Sequence, residues 1–262
     1  MKTLITRADD CASSHAANQA IARAAQAGFV KNISVMAVCP FVEEAAGLLA
    51  HKDELCFGLH IALNSEWDAM RWGPLTNAPS LTDARGCFYQ DPAQFAEHPP
   101  RLDEVMAEIE AQYARLAGAG FHLSYAECHM LPERYLPGLQ QRLAQWIREK
   151  GLLDFSFYMD RVLPHMDEVA VTPGLFEKVL SGLGDGQYCY VAHPALYGQE
   201  MLQTGNALCS GEEIARHRAA DAAFMADPRT LEICRAQGVA TIRLDEAVPG
   251  EYRVFGPGPM LQ

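Results

Sequence analysis

Two carboxylates stand side by side in the stretch LITRADDCASSHAAN, as Asp9 and Asp10, where an apolar run gives way to a helix-like pattern. Side chains alternate along a strand, so the two neighbours point in different directions and can serve different tasks. Three further stretches carry ionisable groups out of apolar surroundings. FGLHIAL holds His60, YAECHMLP holds Glu127 and His129, and YVAHPAL holds His193. Each alone has an ordinary explanation, such as a helix cap for an aspartate or a hydrogen-bonded core histidine. Together, four separate segments deliver two Asp, one Glu and three His. Burying so many ionisable groups without a common partner is costly. A divalent metal held by one carboxylate and two imidazoles would be such a partner, with positions left for water and substrate. The other carboxylate and the third imidazole would then be free to move protons, which is the equipment of a metal-assisted hydrolase.

For these groups to meet, their segments must end at one rim. Candidate strands cover residues 3–8, 32–38, 56–63, 122–126, 155–159, 188–192 and 240–244. Between them lie six helical patterns: SHAANQAIARAAQAG, FVEEAAGLLAHK, LDEVMAEIEAQYARLAGAG, LPGLQQRLAQWIREKG, PGLFEKVLSGLG and GEEIARHRAADAAFM. The first has Ser14 as N-cap and Gly28 as its stop, with Ala17, Ile21, Ala24 and Ala25 on one face. Gly120 and Gly151 close two more. Strands alternating with helices imply right-handed crossovers and parallel strands. Such units in 262 residues predict one α/β domain with a closed or nearly closed barrel. An open doubly wound sheet is the alternative, weakened by a first turn without a glycine-rich phosphate cradle. In parallel α/β folds the working site lies at the C-terminal ends of the strands, where these ionisable groups fall. Residues 65–100, with Trp67, Trp72, Pro74, Pro79, Pro99 and Pro100, break the rhythm and read as a lid-like insertion.

A formal net charge of −12 argues against a nucleic-acid or anionic-membrane partner. No extended uncharged apolar span is present, so no membrane crossing is expected. The opening MKTLITRADD reaches polar residues too soon for a signal peptide. The eight cysteines are scattered, without a CxxC pair, and several sit in apolar runs such as ELCFGLHI and QYCYVAHP. They read as buried thiols of a reducing, cytoplasmic protein. Cys128, beside the candidate site, reads as packing rather than as a nucleophile.

In their order and spacing, LITRADDCASSHAANQAIARAAQAGFVKNISVMA, FGLHIAL, ECHM and AHPA resemble the YdjC-type (ChbG/HpnK) carbohydrate deacetylase family. The typical first motif of that family is an apolar strand, Asn-Ala-Asp-Asp-Phe-Gly, then Ser and a helix. The resemblance runs through nearly the whole chain, to the RAAD of Arg218–Asp221 and the last strand. It implies a deformed (β/α) barrel and hydrolysis of N-acetyl groups on amino sugars with one divalent ion, zinc or magnesium. The implied partner is a small carbohydrate, and a homodimer is left open. By position it implies Asp10, His60 and His129 as metal ligands, Asp9 as general base and His193 as general acid. Glu127, Arg218 and Asp221 become supporting or substrate-facing groups. Trp72, in RWGPL, becomes a candidate for stacking on a sugar ring.

Departures from the family pattern are local. Cys11 and Ala12 replace Phe-Gly, Glu127 replaces an Asp, and Met130, Leu131 and Pro132 stand where further histidines are usual. An alignment anchored on Pro132 would put Tyr125 in place of His129 as ligand. A carbohydrate-binding relative without hydrolysis and a metal-dependent phosphoesterase are the alternative functions. The second is disfavoured by the lack of an Arg/Lys cluster at the strand ends.

Overall fold

The computed structural model describes residues 1–159, 161–163 and 171–253. Seven strands form: β1 (Lys2–Cys11), β2 (Asn32–Val35), β3 (Cys56–Ile61), β4 (Leu123–Cys128), β5 (Leu153–Asp154), β6 (Gly186–Ala192) and β7 (Val239–Ile242). All pairings between them are parallel, in the order β5-β4-β3-β2-β1-β6. β1 is the spine, buried from Leu4 to Cys11. Along one edge it pairs with β6 from Lys2 to Ala8. Along the other it pairs first with β7, from Lys2 to Ile5, and then with β2 from Arg7 onward. Asn32 is fully buried at that handover. Its amide donates to the carbonyls of Thr6 (3.0 Å) and Ile242 (3.1 Å), and its oxygen accepts from the Leu244 N–H (2.7 Å). Three backbone groups at the handover are thus satisfied by one side chain.

The sheet curls as a partial barrel. The chain leaves edge strand β5 through a 3₁₀ turn, Phe155–Tyr158, and Val162 then bridges Cys189 on the opposite edge strand β6. The strand expected at 155–159 is therefore only Leu153–Asp154. The Asp154 side chain accepts from the Ser156 N–H (3.0 Å), and this local bond turns the chain out of the extended path. The strand expected over 32–38 stops at Val35, after which the Met36 N–H bonds to the Cys11 carbonyl (2.8 Å).

The helices are α1 (His15–Gln26), α2 (Val42–Leu49), α3 (Leu102–Gly118), α4 (Leu139–Lys150), α5 (Pro173–Ser181), α6 (Gly211–Ala226) and α7 (Pro228–Ala236). Ser14 caps α1 by accepting from the Ala17 N–H (2.9 Å). Gly151 ends α4 at φ +70°, a left-handed conformation open to glycine without a Cβ clash. The sequence patterns foretell six of these helices and omit α7. Its signal was present: Asp227 caps it through the Arg229 N–H (2.9 Å), and Pro228 occupies its first turn.

The insertion at 65–100 contains two 3₁₀ turns, Pro79–Leu81 and Pro92–Ala96, and buries Trp67, Trp72, Leu81, Phe88 and Phe95. Helix α3 holds it. The fully buried Glu108 carboxylate accepts from the Leu75 N–H (3.0 Å), the Thr76 N–H (2.9 Å) and the Thr76 hydroxyl (2.7 Å). One turn earlier, Glu104 accepts from the Ser80 N–H (2.9 Å) and hydroxyl (2.7 Å). Among the described residues, no helix is long and apolar enough to cross a membrane.

Candidate metal centre

Strand β1 does not end as a regular ladder. Its register against β2 shifts between Ala8 and Cys11, and Asp10 (φ +59°) and Ala12 (φ +73°) are left-handed. The Ala12 N–H is secured by Asn18 Oδ1 (2.8 Å) from α1. This kink sends the two adjacent carboxylates into different company. Asp10 Oδ1 lies 3.2 Å from His60 Nε2 and 3.4 Å from His129 Nδ1, while Asp10 Oδ2 lies 2.7 Å from Arg218 Nη2. Asp9 Oδ2 accepts a hydrogen bond from Arg7 Nη2 (2.6 Å) and lies 4.0 Å from His193 Nε2.

The two imidazoles come from the ends of β3 and β4 and approach to 3.0 Å, His60 Nε2 to His129 Nδ1. Their outer nitrogens fix their tautomers. His60 Nδ1 is hydrogen-bonded to Glu127 Oε1, its register partner across the strands, and His129 Nε2 to Glu66 Oε2 (3.0 Å). With the proton on each outer nitrogen, each inner nitrogen would present a lone pair to a bound cation. Asp10 Oδ1, His60 Nε2 and His129 Nδ1 therefore converge as three possible donors to one cation. Neither Asp10 oxygen makes a hydrogen bond of good geometry, although both are buried.

Charge and spacing agree with that reading. Asp9, Asp10, Glu66 and Glu127 face Arg7 and Arg218, which leaves two negative charges for a divalent ion to balance. Donors about 2.1 Å from a zinc-sized ion at near-octahedral to tetrahedral angles stand about 3.0–3.4 Å from one another, the spacing found here. Asp10, His60 and His129 could thus hold a metal ion. The same demand for a cation shows in the titration. Burial opposes a charge on His60, yet Glu127 and Asp10 outweigh it and lift the imidazole to about 9. For His129 burial is likewise outweighed, by Glu66 and Asp10, and its pKa stands well above the ordinary value. Burial would raise Asp10, but Arg218 and the two imidazoles hold it well below the usual carboxylate range. Partial desolvation at the cavity pushes the half-exposed His193 down, with Arg218 adding to the effect.

Helix α6 supplies the support expected from RAAD. Arg218 pairs with Asp10 and lies 5.5 Å from the Trp67 ring centroid, and Asp221 Oδ2 accepts from the His193 backbone N–H (3.1 Å). Of the two alternatives on β4, the structure brings His129 into the cluster. Tyr125 is fully buried elsewhere, its hydroxyl 3.0 Å from Ser34 Oγ. Its ring lies where a Cβ on Gly58 would be, 2.1 Å from the nearest ring carbon. Cys128 is buried, and burial pushes its thiol well up, as suits packing. Trp72 requires a correction: it is 7% exposed, donates Nε1–H to the Asn64 carbonyl (2.8 Å) and packs edge-on against Trp67. An indole covered in this way has no free face for a sugar and anchors the insertion instead.

Two members of the site were missed in the sequence. Glu66 comes from the irregular insertion, where no periodicity marks it. Arg7 lies inside the aspartate motif itself. A cavity of about 370 Å³ opens beside the cluster, lined by Asp9, His60, His129 and His193 and by apolar side chains such as Leu143 and Ile147.

Fold and site together define a curled parallel α/β barrel with a candidate metal centre at the C-terminal ends of its strands. The model of the family described as YdjC-like protein matches residues 3–236, and the chain belongs to that family. It is 28% identical over 260 residues to a carbohydrate deacetylase of Geobacillus stearothermophilus, covering 92% of this chain and 96% of that one. It is 32% identical over 158 residues to a chitooligosaccharide deacetylase of Yersinia pestis (strain Pestoides F), 58% of each chain. Among solved structures, a protein of Enterococcus faecalis V583 described as a candidate for cellobiose-phosphate cleavage superposes with TM-score 0.77 at 20% identity. That match covers 94% of this chain and 98% of the other. The catalytic domain of a peptidoglycan N-acetylglucosamine deacetylase from Eubacterium rectale ATCC 33656 gives TM-score 0.54 at 11% identity, covering 97% and 94%. Both show likeness of fold.

Proposed function

We propose that this protein hydrolyses the N-acetyl group of an amino sugar or short amino-sugar oligosaccharide, with one divalent ion held by Asp10, His60 and His129. The observation that carries the reading is the convergence of Asp10 Oδ1, His60 Nε2 and His129 Nδ1, with Glu127 and Glu66 holding the outer nitrogens of the two imidazoles. Near-full-length similarity to a carbohydrate deacetylase supports the substrate class. Two imidazoles and one carboxylate suit zinc, and magnesium is the second choice. When bound, such an ion lowers the pKa of water and polarises a carbonyl. Asp9 keeps Oδ2 on Arg7, while its buried Oδ1 has no partner and is the atom to take the proton from attacking water. His193, half-exposed at the cavity and steadied through its backbone by Asp221, donates to the departing nitrogen. Its lowered pKa makes the protonated ring a stronger acid toward a poor leaving group.

The test is metal analysis of purified, zinc-loaded protein alongside acetate and phosphate release from panels of N-acetyl amino sugars and sugar phosphates. The expected result is one bound ion and acetate from at least one amino sugar. Phosphate release without acetate, or no hydrolysis with an ion bound, would overturn the proposal.

A further inference from the structure

Arg7 stands two residues before Asp9 on β1. The side chain is 4% exposed and forms part of the wall of the cavity beside the metal centre. Its guanidinium carbon lies 3.8 Å from the Phe155 ring centroid, which fixes the plane of the group. Among the described residues, its one side-chain hydrogen bond runs from Nη2 to Asp9 Oδ2, at 2.6 Å. Glu127 Oε2 lies 3.8 Å from the same nitrogen, and Glu127 is the carboxylate that orients His60. Nε and Nη1 are buried without partners.

A buried arginine retained for stability alone is expected to use most of its five donors. This one is stacked on a ring and makes a single full hydrogen bond, to the carboxylate proposed as the base. An asparagine at this position lacks the length and the charge to reproduce that contact. We propose that Arg7 is a positioning residue for the hydrolysis: by fixing Asp9 through Oδ2 it aims the unpartnered Oδ1 at the attacking water. The inference rests on the deacetylase reading and adds to it a device that holds the base.

Zinc-loaded Arg7→Asn and Arg7→Lys are compared with the parent for metal content, melting temperature, kcat and KM on the best N-acetyl amino sugar found. A base misplaced by about 1 Å loses about 100-fold in rate, so Arg7→Asn should lose about that factor in kcat. KM should stay within about threefold and one ion should remain bound, because neither the ligands nor the sugar contacts are touched. Arg7→Lys keeps the charge without the planar fork and should fall between the two, about tenfold below the parent. If Arg7→Asn fails to fold, Arg7→Lys decides alone: parental kcat overturns the positioning role. Loss of the ion in a folded variant also overturns it, since Arg7 would then serve the ligands rather than Asp9. A parent that releases acetate with unaffected variants sinks only this inference. A parent that releases acetate from no amino sugar sinks the deacetylase reading and this inference with it.

Discussion

Adjacent in sequence, Asp9 and Asp10 differ in everything that sets their chemistry. Asp10 faces two imidazoles and Arg218, whereas Asp9 faces Arg7 and His193. Asp10→Asn should therefore lower the stoichiometry of bound zinc. Asp9→Asn should keep the ion and lose turnover by about 10²–10⁴-fold, the usual scale for a positioned base. Emission spectrometry and acetate release on the same preparations check this, and equal metal loss in both variants would refute the division. The five residues at the heart of this account were legible because ionisable groups in apolar strand ends are expensive to bury and so call for a shared partner. Glu66 was not legible, because an irregular segment carries no period that would aim its carboxylate at His129. Arg7 was read past because an arginine near acids looks generic until Phe155 and Glu127 are seen around it. Trp72 was misjudged because sequence does not tell which face of an indole is covered.

Secondary elements were legible where local chemistry and pattern agree, as in α1 with its Ser14 cap and apolar face. They were lost where a local hydrogen bond overrides the pattern. Asp154 turns FSFY into a 3₁₀ turn, and Asp227 starts a new helix where the α6 pattern could have run on. The insertion at 65–100 reads as irregular in sequence, yet α3 grips it through Glu104 and Glu108, four residues apart on one helix face. Replacing Glu108 by Ala would remove the acceptor of the part-buried Leu75 and Thr76 N–H groups, at about 1–3 kcal/mol each where water does not take its place. A loss of about 3 kcal/mol in urea unfolding and earlier proteolysis between residues 75 and 80 are expected, with zinc content unchanged. Glu104→Ala, at a more exposed contact, should do less. Parental stability in Glu108→Ala would mean that the grip contributes nothing in solution.

At the scale of the whole molecule, the centre gathers side chains from β1, β3, the insertion, the β4 end and α6, which are far apart in sequence but meet at one rim. It is also where carboxylates are concentrated: Asp9, Asp10, Glu66 and Glu127 meet there. A divalent ion should thus act as a staple on the fold as well as a reagent, because it binds the assembled cluster and not the unfolded chain. At a free concentration about 100 times Kd, that linkage contributes about 2.7 kcal/mol. For a chain of this size each kcal/mol moves the melting temperature by about 2–4 °C, so chelation should lower it by about 5–10 °C and zinc should restore it. His60→Ala and His129→Ala, each short of a donor, should melt at one temperature with or without zinc. Scanning calorimetry of the three proteins, with chelator and with added zinc, makes the comparison directly. A parent whose melting ignores zinc while both variants match it would remove the ion from these three side chains.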